Sequence, residues 1–375
     1  MGGHTPPFPH FLTMPEAPLS QLALYAARPT LRVNGSANDR VSGLLLAMDM
    51  VEREEGLSSL ELRFSNVAAD GIGSADLAFD DETALKLGDR LGVYAGDENG
   101  PTEIFAGQVT ALEAEFSEDG APGMIVLAED KLQSARMQRR TRTFDNQSIA
   151  DIARSIAQDL GLTPSINGFS SPVGVQVQLN ESDLAFLRRL LVRHDGDVQV
   201  VGDELHVSPR GDVQRGTVEL TLRSQLRRAR VLADLAHQVS EITVTGWDAS
   251  QGQRITGRSS AGQDRGPGRG RSGTELLEQA LARRSHQISH LSVADADEAD
   301  AIATAAFDER RRRFVTVEGT AEGNPAVRVG THVTLGGLGP RFSNTYYVVG
   351  CRHRFDLQRG YETDFTGECA FLGEP

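Results

Sequence analysis

ALKLGDRLGVYAG, residues 84–96, aligns almost position by position with AVRVGTHVTLGG, residues 326–337. Ala84 meets Ala326, Leu85 Val327, Lys86 Arg328, Leu87 Val329, Gly88 Gly330, Leu91 Val333 and Val93 Leu335. A strand containing a glycine follows each copy, with Gly107 in EIFAGQV and Gly350 in YYVVGCR, and then a further strand and hairpin. Such self-similarity predicts two copies of one β-module with helical segments inserted between and inside them. The matched glycines Gly88, Gly107, Gly330 and Gly350 are either bends required by a ring of such modules or ordinary barrel turns.

Short alternating runs surround both copies. From residue 23 to 130 they include LELRF at 60–64, RLGVYAG at 90–96 and GQVTALEAEF at 107–116, separated by Gly, Asp and Asn turns, the pattern of an antiparallel barrel or sandwich. A second barrel is expected over 216–250 and 314–375, beginning with TVELTL and SEITVTGWD. Between the barrels, 131–215 reads as an α+β insertion. Ile149, Ile152, Ala153, Ile156 and Leu160 keep helical spacing, with Ser148 as N-cap, Asp151 three residues on and Gly161 as stop. A second helix is predicted over about 181–193, buried through Leu184, Leu187, Leu190 and Leu191, with Asn180 as its cap and Asp183 in its first turn. DVQVVGDELHVSP then alternates around Gly202 and Asp203, a hairpin signal.

Within the second barrel, 251–313 reads as a loop and helical insertion. Ser259 to Gly273 has a mobile loop's composition, and helices are predicted at 274–285 and 294–311. Asp295, Asp297 and Glu298 at one end of the latter and the arginines at 310–313 at the other follow the helix dipole. That basic run is either a solvated helix end or a patch that pairs with acidic residues of a neighbouring subunit. Residues 1–22, rich in proline, read as an irregular arm that orders only against a partner. The fold class expected is therefore mainly β with α+β insertions, built on two related tube-like β-barrels.

The residues also resemble a known family. NESDLAFLRRLLVRHDGDVQVVGDELHV at 180–207 looks like the diagnostic segment of the phage late control D and VgrG family, in which Glu-Ser-Asp precedes a helix of the form LxFLRRL. Its positions here are Asn180, Glu181, Ser182, Asp183, Phe186 and Leu187. DIARSIAQDLGL, VTGWD at 244–248 and the glycine-rich motif over 323–348 extend the resemblance across roughly residues 30 to 370. The resemblance implies a baseplate hub of a contractile injection system or phage tail: a homotrimer joining a hexameric inner tube to a trimeric spike and contacting other baseplate subunits. Family members that continue into a fused spike are longer, so the spike is expected as a separate polypeptide.

Composition narrows the alternatives. A net charge of −14 argues against specific nucleic-acid binding and suggests acidic residues lining a channel. No run reaches the ~18 apolar residues of a membrane span, and no basic-then-apolar leader is seen, so assembly in the cytoplasm, without membrane insertion, is expected. The two cysteines, Cys351 and Cys369, make no disulfide framework. No catalytic residue, cofactor or metal ligand is assigned. HDGD at 194–197 reads as a helix stop, His286 and His290 lie in an alternating stretch without the glutamate of a zinc helix, and GPGRGRSG lacks a phosphate loop's lysine. Two rival classes remain: an effector or peptidoglycan-degrading enzyme delivered by such a machine, which needs a catalytic cluster, and a carbohydrate-binding β-sandwich, which fits poorly with one Trp and 6% aromatic residues.

Overall fold

The structure is a computed structural model that describes residues 28–69, 75–96, 100–248, 251–260, 267–289 and 291–374. The proline-rich arm at 1–22 and the centre of the expected mobile loop, 261–266, lie outside the described residues.

Twelve strands form the frame. The first six are β1 (Thr30–Val33), β2 (Leu45–Arg53), β3 (Ser59–Ser65), β4 (Arg90–Ala95), β5 (Thr102–Glu115) and β6 (Gly123–Glu129). The second six are β7 (Thr217–Thr221), β8 (Leu226–Ala233), β9 (Val315–Glu322), β10 (His332–Gly336), β11 (Thr345–Asp356) and β12 (Gly360–Cys369). In space the first set runs β2-β3-β6-β5-β4-β1, and the second runs β8-β9-β12-β11-β10-β7. Each strand thus occupies the place of the strand six numbers later.

The registers agree as well. Met50 stands opposite Leu60, Leu60 opposite Ala128 and Ala128 opposite Val109. In the second set Val231, Val317, Gly367 and Val348 repeat that chain of partners. Both sets carry one bulge just after Leu45 or Leu226 and another just after Val109 or Val348. The sets differ at the outermost strand: β1 is antiparallel to β4, whereas β7 is parallel to β10.

The turn singled out by the sequence repeat is the same in both. Gly88 and Gly330 each sit at φ 84°, a left-handed conformation that a side chain disfavours. Their amides donate to Val109 O and Val348 O, each at 2.9 Å. Asp89 Oδ2 accepts from the Lys86 amide, and Thr331 Oγ1 accepts from that of Arg328. The pairing of Gly107 with Gly350 is corrected by these contacts. Since Val109 matches Val348, Gly107 corresponds to Tyr346, and Gly350 to Ala111, four residues from the sequence alignment. The connection is shorter in the second copy, Val348 following Gly330 by 18 residues where Val109 follows Gly88 by 21, and this puts the second glycine out of line. Gly107 is required for another reason: a Cβ there would lie 2.2 Å from the Glu129 carbonyl oxygen.

Each set wraps its own core. Leu31, Met50, Leu62, Phe64, Leu91 and Ile104 fill the first, and Leu220, Val317, Val333, Leu335, Tyr346 and Phe365 the second. The alternation in the sequence sends these residues inward and their neighbours to solvent. The two sheets fuse where Ala47–Arg53 of β2 pairs antiparallel with Gly350–Asp356 of β11.

After the short helices α1 (Asp39–Leu44) and α2 (Leu132–Met137), the α+β insertion has its own core beneath helices α3 (Ile149–Asp159) and α4 (Asp183–Val192). Ser148 and Asp151 form the expected capping box. The cap of α4 is Ser182, whose Oγ accepts from the Ala185 amide at 3.3 Å, not Asn180. Asn180 sits at a bulge inside the preceding strand, Gln176–Ser182, at φ 47°, where its amide donates to Thr141 Oγ1. Strand Glu241–Asp248, expected in the second barrel, pairs instead with Gln253–Ser259 and Ser285–Ile288 in a separate small sheet. Helix α5 (Gly273–Ala280) stops short of the expected 285 because Ser285–Ile288 joins that sheet. Helix α6 (Ala296–Arg312) packs across it through Ile302, Ala303 and Phe307. The described end of the expected loop is held in place: Arg271–Ser272 pairs with Phe371–Leu372.

Phe186 is fully buried and stacks on Phe144 with centroids 5.4 Å apart. Phe186→Ala should therefore cost about 3–5 kcal/mol in chemical denaturation, whereas Leu179→Ala, at an exposed position, should change stability by less than about 0.5 kcal/mol.

Candidate assembly surfaces

The junction between the two sheets carries a buried charge pair. On β2 the parity that buries Met48 and Met50 also buries Glu52. Its carboxylate accepts from Arg328 Nε at 2.7 Å, Arg328 Nη2 at 3.1 Å and the Val329 amide at 3.2 Å. Burial opposes ionisation, but Arg328 and these hydrogen bonds outweigh it and hold the Glu52 carboxyl below its ordinary value. The neighbouring groups stay neutral. Burial pushes the Cys351 thiol well up, with Glu52 adding to the rise, and burial and then Arg328 push the His353 imidazole down to about 3. Tyr361 Oη lies 2.7 Å from His353 Nδ1.

A second cluster ties the α+β insertion to both sheets. Arg312, at the end of α6, meets Asp195 at 2.6 Å and Glu368 at 2.8 Å. Arg210 bonds Glu54, just beyond β2, and Arg215 meets the fully buried Asp197 at 2.5 Å. Burial pushes the Glu54 carboxyl up to about 8 against the pull of Arg210 and Arg312, with Glu368 and Asp197 adding to the rise. Its Oε1 is buried without a hydrogen-bond partner. At neutral pH Glu54 therefore holds a proton most of the time, and Arg210 donates to a neutral carboxyl. Arg188 of α4 completes the attachment by donating to the carbonyls of Glu55 and Gly56.

These contacts bear on two sequence readings. Within the basic run at 310–313, Arg312 is spent inside the chain and Arg311 lies over the Phe371 ring, while Arg313 stays half exposed beside Glu309 and Glu368. The carboxylates of HDGD are engaged by arginines, and burial, then Arg193, holds His194 down at about 4. Among the described residues no group of three or more His, Cys, Asp or Glu is arranged to hold a metal. His290 lies outside them.

The six family-motif positions are architectural. Asp183 is buried and accepts from Gln178 Nε2 at 2.9 Å and from Arg142; Glu181 pairs with Arg189 at 3.1 Å; Ser182 caps α4; Phe186 and Leu187 face the insertion's core. Asn180 supplies the left-handed bend before the helix. The motif thus docks one helix. Sequence reading missed Glu52, Glu54, Arg210 and Arg328. Only Glu52 left a signal, a carboxylate on the buried parity of an apolar alternation.

The solvent face of the fused sheet is charge-balanced. Arg352 pairs with Asp49 (Nε to Oδ1, 2.7 Å), Arg63 with Glu61 at 2.9 Å, and Arg354 with Asp364 at 2.9 Å.

Residues 66–356, most of the chain, match the family model described as the Alg8 N-terminal domain. No curated protein matches the sequence. Among solved structures, the 43 kDa tail protein of prophage MuSo2 from Shewanella oneidensis superposes with a TM-score of 0.65 at 14% identity, over 91% of this chain and 97% of that one. The tail protein from Neisseria meningitidis MC58 gives 0.63 at 11% identity, covering 91% and 96%. The E. coli c3393 protein, a type VI secretion component described as structurally similar to phage T4 tail proteins gp27 and gp5, gives 0.60 at 12%, covering 92% and 79%. At these identities the likeness is one of fold: a mainly β phage-tail and VgrG-like architecture.

The protonated Glu54 sets a pH dependence. Its folded pKa lies above the ordinary 4.5, so the folded chain keeps a proton that the unfolded chain has lost, and stability falls as pH rises toward 8. His194 and His353, depressed from 6.5, act oppositely below that pH, where stability rises with pH. In urea denaturation the wild type should therefore lose about 2 kcal/mol relative to Glu54→Gln between about pH 6.5 and 8, the histidines contributing equally to both. An unchanged slope in the variant would assign the decline to another group.

Proposed function

The chain belongs to the Alg8 N-terminal domain family, and on that premise we propose that it is the structural hub of a contractile injection system or phage tail. In this reading it is a homotrimeric adaptor of the late control D and VgrG type between a hexameric inner tube and a trimeric spike. The observation that carries the reading is the pair of six-stranded sheets with one strand order and one register, held edge to edge within a single chain. Three copies of a two-unit chain offer six equivalent units around one axis, which is what a threefold part needs in order to seat on a sixfold one.

The fold likeness to tail proteins and to a type VI secretion component supports the same reading. The division that follows is an arm at 1–22, a first barrel at 23–130, the α+β insertion at 131–215, and a second barrel. That second barrel is interrupted from Glu241 to 313, an interruption that starts earlier than the strand pattern alone suggested. The partners are a spike protein, the inner tube protein and other baseplate subunits. No described helix is long and apolar enough to cross a membrane. Cytoplasmic assembly into the particle suits the reading, and the work is done by surfaces, not by a catalytic group or cofactor.

Light scattering across concentration should give three times the 40.5 kDa chain mass, and the purified trimer should retain a spike protein in co-purification. A strict monomer with activity on peptidoglycan would replace the hub with a delivered enzyme.

A further inference from the structure

The equivalence of the two sheets leaves one contact made and its counterpart open. Within the chain, Ala47–Arg53 of β2 pairs with Gly350–Asp356 of β11. By register, Arg228–Asp234 corresponds to the first segment and Ala111–Ser117 to the second. Among the described residues, β8 from Arg228 onward hydrogen bonds only to β9, and β5 beyond Val109 only to β6. Both segments therefore present an unpaired backbone edge, a state that folded proteins ordinarily cover or disrupt.

We propose that residues 111–117 of one subunit pair antiparallel with residues 228–234 of a second copy, Ala114 opposite Val231, repeating the internal junction between chains. The proposal rests on the trimeric reading and specifies its subunit contact.

Two further observations fit that occupant. Phe355 of β11 is 5% exposed because it crosses the junction into the core of the first sheet, together with Tyr361. Its counterpart is Phe116, also phenylalanine but 67% exposed. In the proposed pairing Phe116 stands opposite Ala229, beside Val231 and Ala233, which edge the second core. Leu112 on the same parity, exposed by 37%, is covered with it.

The charges are complementary and reversed in sign. Internally, Arg352 of β11 pairs with Asp49 of β2. Their counterparts are Glu113 and Arg230, with Glu115 directly opposite Arg230. Glu113 is exposed, and Arg230 reaches only an exposed Glu318 at 3.8 Å. Exchanging partners would set Arg230 against Arg352, or Asp49 against Glu113. Like charges at that position disfavour first-to-first and second-to-second contacts, so the two kinds of sheet must alternate around the ring. A contact between unlike edges is head-to-tail and closes into a ring instead of stopping at a twofold dimer.

The full chain tests this. Glu113→Cys combined with Leu232→Cys, opposed in the proposed register, should link subunits into covalent trimers on oxidation. Glu113→Cys with Arg228→Cys, four residues out of register, should not. Phe116→Ala should leave the folded chain's far-UV spectrum unchanged while weakening association about tenfold or more. Glu113→Arg should weaken it as well, and adding Arg230→Glu should restore it. A threefold mass unmoved by Phe116→Ala and Glu113→Arg, with no disulfide in the opposed pair, would overturn this contact and leave the trimer standing. A chain already monomeric before any substitution would remove both.

Discussion

A single ladder, Ala47–Arg53 against Gly350–Asp356, makes one body of two sheets, and most of what distinguishes this chain from a pair of tethered barrels passes through it. Strand edges are costly to leave open, so pairing them removes an aggregation hazard and fixes the relative pose of two cores in the same step. The ladder also forces a burial problem. Glu52 lies on the covered face, and only the bidentate Arg328, arriving from the repeated turn before β10, makes its ionised form tolerable. Removing one member of such a pair strands the other in a water-poor site, commonly at ~3–5 kcal/mol. The junction is thus specific as well as strong: a shifted register would separate the carboxylate from its guanidinium.

The α+β insertion and helix α6 depend on that pose. Glu54 follows β2 directly, Glu368 belongs to β12, and Asp195, Asp197, Arg210 and Arg215 come from the insertion. Their contacts assemble because the fused sheet brings the ends of β2 and β12 together. Arg312, held at once by Asp195 and Glu368, binds α6 to the insertion and the sheet in one contact, and those carboxylates outweigh the effect of burial to raise its pKa. A helix, a sheet and an inserted domain thus share one desolvated cluster.

The sequence alone determined much of this: the mainly β class, the helical insertion, the caps of α3, and a repeated turn whose glycines share one φ value. Those features are local. Alternation decides which face is buried, spacing decides a helix, and a left-handed turn demands glycine within a few residues. The family motif was legible for the same reason, being one capped, amphipathic helix and its flanking strands. Even so, the cap was assigned two residues early, because Asn180 and Ser182 offer nearly the same chemistry and only the bulge opposite Thr141 separates them.

Tertiary structure alone decided the rest. Gly107 and Gly350 look alike in the chain and are not counterparts, since the connection before the strand is three residues shorter in the second copy and only the pairing shows where each strand begins. Strand Glu241–Asp248 alternates like a barrel strand yet belongs to another sheet, because alternation tells which face is buried and not which neighbour is paired. Arg312 satisfied the helix dipole in the sequence, but its real partners lie more than fifty residues away in either direction. Which edges meet and which stay open is set by contacts between segments hundreds of residues apart, and no local pattern records them.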